Sequence, residues 1–241
     1  MIYEQLQNYF SELVRSHELE GEEIRVLTRP LTAEEAIGTP KDDDYPLLKG
    51  RERLMEAQFR SAKGHAYTDL FGNYEASLGE IVTFPLVNNF KRAVFIAALN
   101  AVMRSLDLVE GTIHCRNEEP EECARDLNDY LKDNFGILER VALVGLQPRL
   151  LEALAEKYLV RAVDLDPENI GRTRGGLRIE SPEDIEEIIA WTELLFVTGT
   201  TVVNGTIEQF MNRDRPVVFY GVTIAGPARI LNLNRFCARG H

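Results

Sequence analysis

Val141-Ala142-Leu143-Val144-Gly145 is a continuous apolar run that ends in glycine, the pattern of a strand buried on both faces. A helical pattern follows from Pro148 to Tyr158, with proline in the first turn, where its missing N–H costs nothing. The rhythm then repeats. Val160 to Leu165 reads as a strand, Pro182 to Ala190 as a helix and Leu194 to Val197 as a strand. Thr206 to Met211 reads as a further helix and Val217 to Tyr220 as a further strand. Strands alternating with helices at this spacing predict a parallel sheet with right-handed crossovers.

Upstream of about residue 136 the pattern is different. Leu6, Tyr9, Phe10 and Leu13 recur at helical spacing within Tyr3 to Val14. Glu23 to Leu27 alternates as a strand and stops at Pro30. Thr32-Ala33-Glu34-Glu35 is a capping-box signature for a short turn ending at Gly38, and Thr39 to Gly50 reads as a loop. Leu54 to Phe59 and His65 to Thr68 predict a hairpin through Ser61-Ala62-Lys63-Gly64, followed by a loop from Asp69 to Ser77 and a short helix from Leu78 to Val82. The strongest helix runs from Asn88 to Leu106, with Phe95, Ala98, Leu99, Val102, Met103 and Leu106 on a wide apolar face. The chain therefore reads as α/β in two parts: a small α+β domain over 1–135 and a Rossmann-like parallel-sheet domain over 136–241.

Asp and Glu number 39 against 27 Lys and Arg, a net charge of −12. That balance argues against nucleic acid, which needs a basic footprint. The runs Asp42-Asp43-Asp44 and Glu118 to Glu122 read as solvated surface. The tail from Ala228 to His241 holds Arg229, Arg235 and Arg239 without an acid, suited to an anionic group or to an acidic face of the same protein. No apolar run approaches the ~20 residues of a membrane span. Met1 to Gln5 lacks a basic start and an apolar signal core. With three cysteines that cannot all pair, a cytoplasmic location and no membrane partner are expected. A homo-oligomer is compatible with such a fold.

Ligands of open parallel sheets bind at the carboxyl ends of the strands. Val197-Thr198-Gly199-Thr200-Thr201-Val202-Val203-Asn204-Gly205-Thr206 leaves such an end with hydroxyls, an amide and two glycines, and no acid, base or thiol. Thr198, Gly199, Thr200, Thr201, Asn204, Gly205 and Thr206 are thus candidates to hold a ligand, and no catalytic residue stands out. Thr200, Thr201 and Thr206 would suit an anion at a helix N-terminus; the plainer alternative is that Asn204 or Thr206 caps that helix. Gly221 to Pro227 repeats the small-residue theme after the next strand. Gly145 lacks the G-x-G-x-x-G continuation, which disfavours a standard nicotinamide or flavin site. Asp164 and Asp166 end the second strand, where acids hold a ribose diol. They suit an adenosine cofactor such as S-adenosylmethionine in a transferase-type enzyme, or merely cap a turn. His114, Cys115 and Cys123 together favour a soft or borderline divalent metal. Their spacing is not that of a structural zinc site, and a structural role is the alternative. Asp69, Lys91 and Arg92 are expected to face a cleft, while His65 and Asp69 lie too far apart along the chain to assume an acid–base pair.

Several of these stretches also resemble one family. They are Tyr45-Pro46-Leu47-Leu48-Lys49-Gly50, Gly64 to Asp69, Arg92 to Val102, Thr112 to Cys115 and, most specifically, Val197 to Thr206. They are similar to prokaryotic proteins described as putative heavy-metal chelation proteins. The resemblance implies an enolase-N-terminal-like domain joined to a Rossmann-like domain, with the site in the cleft between them. It does not imply enolase activity, because the barrel that carries that enzyme's catalytic groups is absent. Carried onto this chain, the cleft candidates are Asp69, Asn89, Thr198, Thr200, Thr201 and Asn204. The expected function is binding or processing of a small molecule or metal chelate, with the adenosine-dependent transferase as the alternative.

Overall fold

The computed structural model describes residues 2–27, 33–40, 44–45, 52–211 and 213–241. The first part of the chain forms helix α1 (Ile2–Ser16), strand β1 (Glu23–Leu27), helix α2 (Ala33–Ile37) and strands β2 (Arg53–Phe59), β3 (Ala62–Thr68) and β4 (Tyr74–Ser77). Helices α3 (Leu78–Val82), α4 (Asn89–Ser105) and α5 (Glu119–Phe135) follow. Then come β5 (Arg140–Val144), α6 (Pro148–Ala155), β6 (Leu159–Val163), β7 (Thr173–Arg174), β8 (Leu177–Glu180) and α7 (Ile185–Trp191). The chain continues through β9 (Leu194–Thr198), α8 (Thr201–Asn204), β10 (Val217–Tyr220), α9 (Ala225–Leu231) and β11 (Asn234–Phe236). No helix among the described residues is long and apolar enough to cross a membrane.

Strands β1 to β4 make an antiparallel sheet in the order β3-β2-β1-β4. The later strands make a seven-stranded sheet in the order β11-β10-β9-β5-β6-β8-β7, parallel except for the β7–β8 pair. The chain enters this sheet at β5, moves outward to β6 and β8, then returns to β9 on the other side. Strand order therefore reverses between β5 and β9, which opens a crevice at their carboxyl ends.

Alternation along the central strands divides their side chains between two faces. Val141, Leu143, Leu194, Phe196 and Val218 pack with Ala124, Leu127 and Leu131 of α5 and with Leu150, Leu151 and Leu154 of α6. Ala142, Val144, Leu195, Val197 and Phe219 join a second core that also holds Leu6 and Phe10 of α1 and Phe95 and Leu99 of α4. That second core runs without a break across residue 136.

Every residue of α4 from Ala93 to Met103 is buried. In its middle sits Asn100, a polar side chain with no exposed surface. Its Nδ2 donates to the carbonyls of His65 at 3.1 Å, Val222 at 3.2 Å and Thr223 at 3.2 Å, and its Oδ1 accepts from Gly226 N at 2.7 Å. One amide thus joins β3, α4 and the turn into α9. Glycine is required on both sides of this joint. A Cβ on Gly64 would lie 2.3 Å from backbone atoms of Ala97 and Ala101, and one on Gly226 would lie 2.9 Å from Asn100 Oδ1.

Several elements differ from the sequence expectation. The hairpin turns at Arg60 and Ser61, because β3 already begins at Ala62. β4 occupies a stretch expected as loop, paired to β1. The acids at 118–122 open helix α5, with Pro120 in the first turn and Glu119, Glu121 and Glu122 beside the positive end of the helix. Asp44 is no free surface charge: it pairs with Arg149 at 2.9 Å. Asp42 and Asp43, Thr32 of the capping box and Pro46 to Gly50 lie outside the described residues. Of the basic tail, Arg239 meets Glu122 and Asp126, so it does contact an acidic face of its own chain.

Replacing Asn100 by Ala strands a buried N–H and several carbonyls, each costing about 1–3 kcal/mol when unpaired. Asn100→Ala should lower stability by about 3 kcal/mol or more in urea unfolding, well above the cost of an ordinary surface change.

Candidate functional site

The crevice between β5 and β9 holds a cavity of about 380 Å³, within the ~300–1,000 Å³ of small-molecule sites. Its walls come from the loops after β5, β6 and β9, and from Glu52, Asp69 and Asn89 of the N-terminal half. Gly145 leaves β5 at φ 87°, and a Cβ there would lie 2.6 Å from Thr198 Cγ2, so the two strand ends meet at a glycine. The Tyr220 hydroxyl donates to the Gly145 carbonyl at 2.8 Å, and its ring stacks on Phe196 with centroids 4.9 Å apart.

Thr198, Thr200, Thr201, Asn204 and Thr206 all line this cavity, as do Asp69, Asn89, Gly145, Asp164 and Asp166. Gly199 and Gly205 do not, and act through the backbone. A Cβ on Gly199 would lie 2.7 Å from Ile224 Cβ, and Gly205 ends α8 at φ 79°. The threonines brace one another. Thr198 Oγ1 donates to Thr200 Oγ1 at 3.1 Å, and Thr201 Oγ1 donates to the Thr198 carbonyl at 2.8 Å.

The expected helix from Thr206 to Met211 is a single 3-10 turn, Ile207–Phe210, and the preceding α8 is only four residues long. Neither Asn204 nor Thr206 makes a side-chain cap. Such short turns sum few peptide dipoles, so the anion-at-helix-end expectation fails. Charge opposes it as well. Glu52, Asp69, Asp164 and Asp166 line the cavity, and no Lys, Arg or His does among the described residues.

Asp164 ties two loops together: its Oδ2 accepts from Leu146 N at 2.6 Å and its Oδ1 from Asp166 N at 2.7 Å. Asp166 in turn accepts from Glu168 N at 3.0 Å. The turn-capping alternative is thus realised at both positions. Burial raises the Glu52 carboxyl to about 7, with repulsion from Asp164, Asp69 and Asp166 adding to it.

Asp69 accepts from Asn89 Nδ2 at 2.7 Å, and Asn89 Oδ1 accepts from Arg92 Nη2 at 2.6 Å. Arg92 Nε donates to the Val203 carbonyl at 2.5 Å. This chain fastens the cavity rim to α8 and turns Arg92 into a brace rather than a cleft cation. Lys91 lies over the Phe84 ring at 4.9 Å. His65 makes no pair with Asp69: its Nε2 meets Glu56 at 3.0 Å, and its Nδ1 accepts from His114 N at 3.0 Å.

His114, Cys115 and Cys123 line a second cavity of about 120 Å³, which shares Glu52, Leu146, Thr198, Thr200 and Tyr220 with the first. Among the described residues no group of three or more His, Cys, Asp or Glu side chains is arranged to hold a metal ion. His114, Cys115 and Cys123 therefore do not converge as a three-ligand set in the described structure. Burial pushes the Cys115 thiol well up and the Cys123 thiol to about 11, away from the thiolate that binds metals. Burial also lowers His114 to about 4, so its imidazole is neutral.

Sequence reasoning missed Glu52 and Tyr220. Glu52 stands between two arginines in Arg51-Glu52-Arg53, which looks like a solvated charge run. In the sequence Tyr220 reads only as the end of a strand.

Residues 134–231 match the family model DUF364, described as "Putative heavy-metal chelation". The likeness to that family covers less than half of the chain. A DUF364 protein of unknown function from Pyrococcus horikoshii aligns over 92% of this chain and 80% of its own, with a TM-score of 0.59 and 18% identity. A DUF364 protein from Desulfitobacterium hafniense DCB-2 aligns over 91% and 78%, with a TM-score of 0.47 and 12% identity. The first likeness shows the shared α/β fold alone. No protein in the search of curated proteins matches.

A raised carboxyl favours folding when protonated, so Glu52 withdraws stability as pH climbs from the ordinary carboxylate range through about 7. Glu52→Gln should match the parent near about pH 4 and exceed it by up to about 3 kcal/mol near about pH 9, read by urea unfolding at both.

Proposed function

We propose that the crevice between β5 and β9 binds a positively charged small molecule, and that a metal already held in a chelate is the member of that class it serves. The observation that carries this reading is charge: four carboxylates line the cavity with no basic side chain among the described lining residues. Even at an effective dielectric of about 20, a unit charge ~4 Å from a carboxylate gains ~4 kcal/mol. The carboxylates and the Thr198, Thr200 and Asn204 side chains surround a space rather than converging on a point. A metal entering it keeps its own donors, and the protein supplies charge and outer hydrogen bonds. The DUF364 description agrees with that class of ligand.

An adenosine cofactor has weaker support. Its ribose would need Asp164 and Asp166, and both already accept backbone N–H groups.

Cobalt(III) hexaammine, a cation whose inner sphere does not exchange, is the direct probe. Calorimetry should show it binding while the anionic cobalt(III) complex of ethylenediaminetetraacetate does not. Asp69→Asn should weaken the cation about tenfold. Binding should release a proton near neutral pH and tighten as Glu52 ionises, an effect lost in Glu52→Gln. Equal binding of both complexes, or none of either, would falsify this reading.

A further inference from the structure

The second cavity adjoins the acid-lined one through five shared residues, yet its own walls have a different chemistry. Ile37, Tyr67, Leu150, Val222 and Phe236 make it mostly apolar and aromatic. Its volume of about 120 Å³ decides what can enter. A dry cavity of about 150 Å³ accommodates benzene, so this lobe, which shares part of its wall with the larger one, is near the size of a single planar ring. Among the described residues of its wall, His114 Nδ1 is a buried ring nitrogen without a side-chain partner. The His114 backbone N–H donates to His65 Nδ1, its ring stands edge-on to Tyr67 with centroids 5.5 Å apart, and backbone of Ala36 and Cys115 lies beside the ring.

We propose that this lobe receives one aromatic ring carried by the same cationic ligand, with a polar ring substituent meeting His114 Nδ1. The proposal rests on the cation reading and narrows it to cations with an aromatic arm. The charged part lies among Glu52, Asp69, Asp164 and Asp166, and the arm passes Thr198 and Tyr220 into the smaller lobe. Burial of a ring against these walls adds the apolar contribution that carboxylates cannot supply.

Phenethylamine and butylamine carry the same charge and differ by the ring, so titrating both separates the two contributions. Phenethylamine should bind at least about tenfold more tightly. Filling the lobe by Cys123→Phe should abolish that preference while cobalt(III) hexaammine binds as before. Cys237→Phe, from another segment of the wall, gives the same reading should the first variant fail to fold. Equal affinity for the two amines, or a preference that survives the filled lobe, overturns the ring inference while hexaammine binding keeps the cation reading. Failure of all three probes to bind overturns both.

Discussion

A single buried amide, that of Asn100, is the contact on which the arrangement of the two sheets depends. It sits on a helix with no exposed face and spends both of its polar atoms on backbone from three other segments. Apolar packing alone would let α4 slide or rotate, because a Leu or Ala surface is nearly indifferent to small shifts. Four directional hydrogen bonds remove that freedom. They fix β3 and the turn after β10 relative to each other, and those segments carry Tyr67, Val222 and Thr223 into the wall of the smaller lobe. Tyr67 N reinforces the joint by donating to Thr223 Oγ1 at 3.1 Å.

Much of the architecture is readable before any coordinates. Val141 to Val144 and Leu194 to Val197 are apolar on both parities, which only a doubly covered strand requires. The short hydroxyl-rich loop could be placed at a strand end for the same reason, and it does line the cavity. What escaped was set by distant parts of the chain. α5 was hidden behind its acids, although Ala124, Leu127 and Leu131 carry a helical stripe. The helix expected at Thr206 is instead the 3-10 turn Ile207–Phe210, set after Gly205 has ended α8 at positive φ. The acidic lining does not stand out as a set in the sequence, because its four carboxylates come from three separate segments and no short window contains more than two of them.

Thr198, Thr200 and Thr201 are engaged with one another and with the backbone, so they give the cavity a rigid polar lining. Asp164 does the same for the facing loop while keeping its charge on the wall. Burial first, and repulsion from Asp164, Asp69 and Asp166 second, hold the Glu52 carboxyl above the usual carboxylate range at this wall.

The unbroken apolar cluster that joins Leu6, Phe95, Val197 and Val203 has a mechanical consequence. Neither half owns a complete interior, since each supplies the lid for the other. Severing the chain near Gly136 would leave two fragments with raw greasy walls, prone to stick to anything nearby. The molecule should accordingly melt in one cooperative step, with the crevice vanishing together with its scaffold rather than before it.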